Sequence, residues 1–168
     1  MDVVSLAWLA GFIDADGSVA MRGHATCTSM AAVVQVAGTD PRARDRVISI
    51  YTEAGIKFSL ADVKTDVRGL LKGRENHARA WNVSVSRRED THRLLTLIRP
   101  YLVCKQDRAD LIIEFLSNRM HETGRGRSAK PYRDRDHDIY REVKRLQKSF
   151  KEYAVGRGST GGGPSATA

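Results

Sequence analysis

The chain has 168 residues and a mass of 18.7 kDa, a length typical of one domain, and its 41% apolar and 29% charged residues are ordinary for a globular protein. This composition excludes collagen-like, coiled-coil and wholly disordered chains. The 28 lysines and arginines outnumber the 20 acids by eight, and a basic domain is a candidate for a partner that carries phosphate groups. Residues 1–40 hold one base and four acids, a balance of −3, so the rest of the chain carries +11.

Neither a disulfide framework nor a targeting segment is predicted. Cys27 and Cys104 are the only two cysteines, which favours an intracellular, reducing compartment such as a prokaryotic cytoplasm or nucleoid, or an organelle matrix. The five histidines show no spacing typical of a zinc site. The apolar stretch at residues 3–13 is 11 residues long, well short of the ~20 that cross a bilayer, so we expect no membrane partner.

The pattern of apolar residues predicts the element order α-β-β-α-β-β-α-α-α. Helices are expected at residues 5–14, with Gly17 just past the end at C′, at 41–54, with Gly55 as the stop, at 89–102, broken near Pro100, and at 106–120 and 136–153. Strict alternation predicts one hairpin around residues 18–36 and a second from 56–67 and 79–86, with a bulge between Leu60 and Val63.

These elements predict an α+β domain with one four-stranded antiparallel sheet. We assign residues 1–120 to its core and residues 121–153 to a basic loop and C-terminal helix of the same domain. Residues 154–168, rich in Gly, Ser and Thr, are predicted to be a disordered tail.

The first helix carries two unusual features. Ala7, Gly11 and Ala15 place small side chains on one stripe, which would let a second helix approach closely. Asp14 and Asp16 lie at the helix C-terminus, where a carboxylate is disfavoured by up to ~1 kcal/mol unless a cation offsets the cost. Mg²⁺ takes carboxylate and backbone oxygens together with substrate phosphates. The alternative is an ordinary core helix followed by an Asx-type turn.

Residues 9–17, LAGFIDADG, resemble the motif that names the LAGLIDADG homing endonucleases, with Phe12 as the one departure. The resemblance extends over the element order of residues 5–120 and is that of the single-motif type. It implies an αββαββα core that acts as a homodimer, cutting both strands of a long DNA target at an intron or intein site. The implied cofactor is Mg²⁺, whose place Mn²⁺ or Ca²⁺ can take.

The resemblance also implies roles for individual residues. Asp16 would bind the metal with the backbone carbonyl of Ala15, and Asp14 would be mainly structural. The motif helix would form the dimer interface through Ala7, Ala10, Gly11 and Asp14. Residues 100–106, PYLVCKQ, resemble the segment that supplies a catalytic lysine and nominate Lys105, for which the alternative is a solvated lysine at a helix start.

The polar side of the predicted sheet is the expected DNA-reading surface, because a β-ribbon fits the major groove. Arg22 would suit guanine and Gln35 adenine. The family's water-ordering polar residue falls near Gly38, so either water takes its role there or Thr39 substitutes for it. The alternation of Asp134, Asp136 and Asp138 could suggest a metal site, but solvated charge and a helix N-cap is the favoured interpretation. The full set of expected DNA contacts is Arg22, His24, Ser29, Gln35, Lys64, Arg68, Asn82 and Ser84.

The sequence therefore predicts a Mg²⁺-dependent, site-specific DNA endonuclease with Asp16 and Lys105 as catalytic residues. The rival hypothesis is an RNA maturase or a non-catalytic DNA-binding regulator on the same fold.

Overall fold

The computed structural model describes residues 1–23, 30–63, 80–120 and 131–156. The elements within them follow the predicted order, with one short 3₁₀ helix added at Arg99–Tyr101. Their bounds are α1 Val3–Asp16, β1 Gly17–Arg22, β2 Ala31–Gly38, α2 Pro41–Glu53, β3 Ser59–Val63, β4 Ala80–Val85, α3 Arg88–Ile98, α4 Gln106–Arg119 and α5 Asp134–Gly156.

The four strands form one antiparallel sheet in the order β1-β2-β4-β3. Alternate residues of β1 and β4 are buried under the helices, as the sequence pattern predicted, and so are Ala32, Val34 and Val36 of β2. The opposite face is open to solvent except at Val33, which is also buried. The register of β3 on β4 runs unbroken from Ser59–Ser84 to Val63–Ala80, so the predicted bulge is wrong. β3 is an edge strand, where Leu60 stays 48% exposed even though it pairs with the buried Val83.

Helix α1 packs on β1 and β2 and also contacts α2 and α3. Its N-terminus is capped by Asp2, whose side chain accepts the Ser5 N–H at 2.7 Å. At the other end of α1, a left-handed C′ position was expected for Gly17, and this is wrong. The Gly17 backbone is extended, and Gly17 is the first residue of β1. A Cβ at Gly17 would lie 2.7 Å from Ile13 Cα, so only glycine permits the direct passage from helix to strand.

The C-terminal helix α5 docks on α4 and β1 through the buried Ile139 and Val143. It begins at residue 134, earlier than predicted, because the Asp136 carboxylate accepts the Arg133 N–H at 2.9 Å and closes the first turn. Asp136 is 1% exposed and pairs with Arg119, so its assignment as solvated charge is wrong, while Asp134 and Asp138 are exposed as expected. The helix continues to Gly156, past the predicted tail boundary at 154, and residues 157–168 lie outside the described ranges.

None of the helices in the described ranges combines the length and apolar character that crossing a membrane would need.

Candidate active site and nucleic-acid interface

The C-terminal end of α1 is bonded to the turn that precedes α4. The Asp14 carboxylate accepts three backbone N–H groups, from Val103 at 2.6 Å, Cys104 at 3.1 Å and Lys105 at 3.0 Å. A carboxylate that gathers three donors anchors a chain segment firmly, because charge-assisted hydrogen bonds are stronger than neutral ones. Asp14 thus joins the end of α1 to the turn before α4.

Lys105 completes this junction from the other side. Its Nζ donates to the Ile13 carbonyl at 2.9 Å and to the Asp14 carbonyl, and its side chain is almost fully buried. A cation is favourable at a helix C-terminus, where the last carbonyls lack helical partners. Burial lowers the pKa of Lys105, and nearby Arg108 lowers it further, while the carboxylates of Asp14 and Asp16 act in the opposite direction. The structure therefore places a positive charge on the helix end that carries the two aspartates.

The sequence analysis missed Arg108, which belongs to the same junction. It lies in the first turn of α4, three residues after Lys105, and is only 7% exposed. Burial lowers its pKa, and the Asp14 carboxylate opposes that effect. No sequence pattern marked Arg108, because its burial depends on the meeting of α4 with the end of α1; once buried, an arginine usually has a charged or polar partner, here Asp14.

Asp16, the last residue of α1, lies at an open cleft. The cleft has a volume of about 400 Å³ and is bordered by the end of α1, the end of β2 and the start of α2. Within the described residues the exposed Asp16 carboxylate makes no hydrogen bond or ion pair. It is therefore available to a ligand that enters the cleft. The lining residues are Phe12, Asp16, Ala37, Gly38, Thr39, Asp40, Ala43 and Trp81.

The Trp81 ring explains why position 38 is a glycine, and Trp81 is a second residue whose place at the site the sequence analysis missed. The two residues are paired across β2 and β4, and a Cβ at position 38 would lie 2.9 Å from the Trp81 ring. The ring is held in place because its Nε1–H donates to the Asp40 carbonyl at 2.9 Å. Thr39 is exposed in the same cleft as Asp16. Trp81 therefore occupies the space beside Gly38, and Thr39 supplies a hydroxyl in the cleft.

The open face of the sheet carries polar residues in rows across the strands. One row crosses all four strands, through Ser18, Gln35, Ser84 and Ser59, and the next contains Asn82 between two alanines. Four of the expected DNA contacts, Arg22, Gln35, Asn82 and Ser84, lie on this face, while His24, Ser29, Lys64 and Arg68 lie outside the described residues.

Arg22 and Gln35 are joined to each other on this face. Arg22 Nη2 donates to Gln35 Oε1 at 2.8 Å. The register places the row of Ala20 and Val33 between them, so the two side chains reach over that row, and Val33 is 4% exposed. A paired guanidinium and amide offers both donors and acceptors at one point of the face.

The outward side of α1 is apolar and open. Ala7, Gly11 and Ala15 are all exposed, as are Val4 at 74% and Trp8 at 37%. A Cβ at Gly11 would meet nothing within 4 Å. Ala10, which was expected on this surface, is fully buried in the hydrophobic core instead, because it lies on the side of the helix that packs against the sheet.

Comparison of the sequence with protein-family models and with curated proteins finds no match. The structure, in contrast, is similar to several solved structures. The homing endonuclease I-CvuI, in complex with a DNA target in the presence of Mg, superposes with a TM-score of 0.56 at 15% identity over 98% of this chain and 86% of its own. For the homing endonuclease I-TnaI the values are 0.53 and 13%, over 90% and 99%.

The LAGLIDADG homing endonuclease I-GzeII, in complex with its DNA target, superposes with a TM-score of 0.51 at 15% identity, over 88% of this chain and 48% of its own. The similar structures agree with what the motif at residues 9–17 indicates, and the chain has the LAGLIDADG homing endonuclease fold.

Proposed function

We propose that this chain is a site-specific DNA endonuclease that depends on Mg²⁺ and cuts both strands as a homodimer. The observation that carries the proposal is the position of Asp16. Its unpartnered carboxylate lies at an open cleft, at the end of the motif helix and at the start of a sheet with a polar open face. Solved structures of similar fold are homing endonucleases in complex with DNA targets.

The residues at the end of α1 fit a hard divalent cation. The Asp16 carboxylate and the Ala15 backbone carbonyl are oxygen donors, and both residues are exposed. The described residues contain no cluster of three His, Cys, Asp or Glu side chains that could hold a metal. Mg²⁺ sites commonly use only one or two protein carboxylates and are completed by water and substrate phosphates. When bound, Mg²⁺, or Mn²⁺ or Ca²⁺ at the same donors, supplies charge that polarises a phosphate and lowers the pKa of a water.

The surrounding side chains hold Asp16 in place. Asp14 ties the end of α1 to the turn before α4, and Lys105 bonds the last helical carbonyls. The Lys105 charge, proposed to stabilise the negative charge that develops on the phosphate, acts from a buried position on the carbonyls of Ile13 and Asp14, three and two residues before Asp16. The Thr39 hydroxyl, in the same cleft, is proposed to orient the attacking water.

A double-strand cut requires two copies of Asp16, and one chain supplies one. The exposed apolar side of α1, formed by Val4, Ala7, Trp8 and Gly11, is proposed to pack against its own copy about a twofold axis. A helix that is apolar all round is normally buried on all sides, and a second chain would bury this one. The similarity spans 99% of the I-TnaI chain but 48% of the I-GzeII chain. One fold unit of this size therefore matches a whole chain in one case and about half of a chain in the other, which supports a unit that acts in pairs. Ala10 and Asp14 are left out of the proposed interface because their contacts are internal.

The open face of the sheet is proposed to read bases in the major groove. Arg22 with Gln35, and Asn82 with Ser84, present hydrogen-bonding groups there, and the predicted contacts from residues 24, 29, 64 and 68 extend the set. The joined Arg22 and Gln35 can read two neighbouring bases, since arginine suits guanine and glutamine suits adenine.

The length of the strands predicts the length of the target. β2 has eight residues and spans about 26 Å at ~3.3 Å per residue, which corresponds to about eight base pairs at ~3.4 Å each. Two such spans read about 16 base pairs, and with the base pairs between the two halves the protected target is expected to be on the order of 20 base pairs, arranged as an imperfect palindrome.

The test is to select bound sequences from a library of randomised double-stranded DNA and to footprint the best of them. A footprint of one half-site, a target without a twofold relation, or preferential selection of RNA from a parallel library would contradict the proposal.

A further inference from the structure

At its open end the β1–β2 ladder is bonded by two tyrosines from the C-terminal part of the chain. Its last pair is Arg22 with Ala31, and the register would next bring Gly23 opposite Met30. Gly23 has φ 123°, in the region that favours glycine, so β1 leaves the ladder there. Two tyrosine hydroxyls from the C-terminal part of the chain bond the backbone at these positions.

The bonds hold both sides of the hairpin. The Tyr140 hydroxyl donates to the Gly23 carbonyl at 2.6 Å. The Met30 N–H donates to the Tyr132 hydroxyl at 2.6 Å, and that hydroxyl donates to the Met30 carbonyl at 3.2 Å. Tyr140 therefore bonds Gly23, the last described residue on the β1 side, and Tyr132 bonds Met30, the first described residue on the β2 side.

The Tyr132 ring is held by side chains of α4 and not by the ladder. The Tyr132 ring stacks on Phe115 at 6.2 Å between centroids, and the Arg119 guanidinium lies 4.4 Å from its centre. Arg119 in turn forms the buried ion pair with Asp136 and donates to the Pro131 carbonyl at 3.2 Å. The position of the Tyr132 hydroxyl is thus set by α4 and by the start of α5.

Tyr140 is held in a similar way. It is 6% exposed on the side of α5 that packs on the core, and Lys144 Nζ lies 5.4 Å from its ring centre. Buried tyrosines usually place the hydroxyl on a partner, and here that partner is the backbone of a strand end.

We infer that Tyr132 and Tyr140 are positioning residues for base reading: they set the separation and direction of the end of β1 and the start of β2, where Arg22 lies on the open face of the sheet. The inference rests on the proposed function. Arg22 immediately precedes Gly23, and it forms the last pair of the ladder with Ala31. A displacement of the strand ends would therefore misplace contacts at one end of the reading surface and leave the cleft at Asp16 unchanged.

The distance along β1 gives the expected place of the effect. Gly17, beside Asp16, begins the strand, and Gly23 follows six residues later. At ~3.3 Å per residue this is about 20 Å, or about six base pairs from the cut. Loss of the tyrosine hydroxyls is expected to affect base pairs at that distance and beyond, and to spare those nearer the cut.

The experiment compares wild type with the double variant Tyr132→Phe/Tyr140→Phe, which keeps both rings. Tyr101→Phe is the matched control, since the Tyr101 hydroxyl bonds no other residue in the described ranges. Base preference is measured at each target position by selection from randomised DNA. We expect preference at the outer base pairs to fall about fivefold or more, the discrimination that one good base contact supplies, with inner positions and the control unchanged. An unchanged base preference at the outer base pairs, or an equal fall in base preference at every position, would overturn the inference.

A second measurement needs no DNA. Amide hydrogen exchange at Met30 is expected to become at least tenfold faster in the single variant Tyr132→Phe than in Tyr101→Phe, and unchanged exchange would overturn the inference. If wild type selects no DNA sequence, the proposed function fails and the inference about base reading fails with it. If wild type selects a target and the double variant keeps the same outer preference, the inference alone fails.

Discussion

Replacing Gly11 by alanine is expected to have opposite effects on the protomer and on the dimer. In the protomer the new methyl group meets nothing within 4 Å, and alanine is favoured over glycine inside a helix by about 1 kcal/mol. In the proposed dimer the same methyl enters a close helix–helix contact, where overpacking costs about 1–3 kcal/mol. The cost occurs twice in a twofold assembly, so the dimer is expected to weaken by at least ~2 kcal/mol, or about 30-fold in Kd. Gly11→Leu is expected to abolish the dimer.

Sedimentation equilibrium measures the dimer Kd, and urea unfolding at a dilution where monomer predominates measures protomer stability. Asn118→Ala is the control, because Asn118 is exposed on α4, away from α1, and gains a comparable helix preference without touching the proposed interface. An unchanged Kd for Gly11→Ala, or a dimer of native size for Gly11→Leu, would refute α1 as the interface.

Three further predictions concern the cleft, the core and the C-terminus. Gly38→Ala is expected to cost about 1–3 kcal/mol in denaturant unfolding, because its Cβ would lie 2.9 Å from a ring that Asp40 holds; an unchanged midpoint would contradict that packing. Tyr51→Phe is expected to stabilise by about 1 kcal/mol, since the Tyr51 hydroxyl is buried without a partner in the described structure. Burial also raises the pKa of Tyr51, so wild-type stability should be lost as pH rises past the ordinary value of 10.0, where the unfolded tyrosine ionises first, and the variant should lose less of it. Removal of residues 157–168 is expected to leave activity unchanged, and a large loss would show that the segment contributes.

Local patterns predicted most of the fold. The alternation in β1, β2 and β4 assigned the buried face correctly because a strand between helices and solvent repeats every two residues. Asp40 followed by Pro41 marked the start of α2, and the structure shows the Asp40 side chain accepting the Arg42 N–H. These signals lie within a few residues of one another, so no knowledge of the tertiary contacts was needed.

Contacts between distant segments could not be predicted in the same way. The burial of Lys105 depends on the meeting of two segments about ninety residues apart, and sequence alone left a solvated lysine equally open. The packing of Trp81 against Gly38 depends on strand register, and the burial of Asp136 depends on Arg119. Ala10 was misplaced because a helix that is apolar all round does not show which side faces the protomer core.

Cleavage of a selected target by wild type and by Asp16→Asn, each with Mg²⁺ and with EDTA, tests the central claim most directly. The substitution removes the carboxylate charge without adding bulk, so the variant is expected to bind the target with an affinity close to that of wild type and to cut neither strand. Wild type is expected to cut both strands with Mg²⁺ and neither with EDTA. Cutting by Asp16→Asn at the wild-type rate, or cutting by wild type in EDTA, would contradict the account.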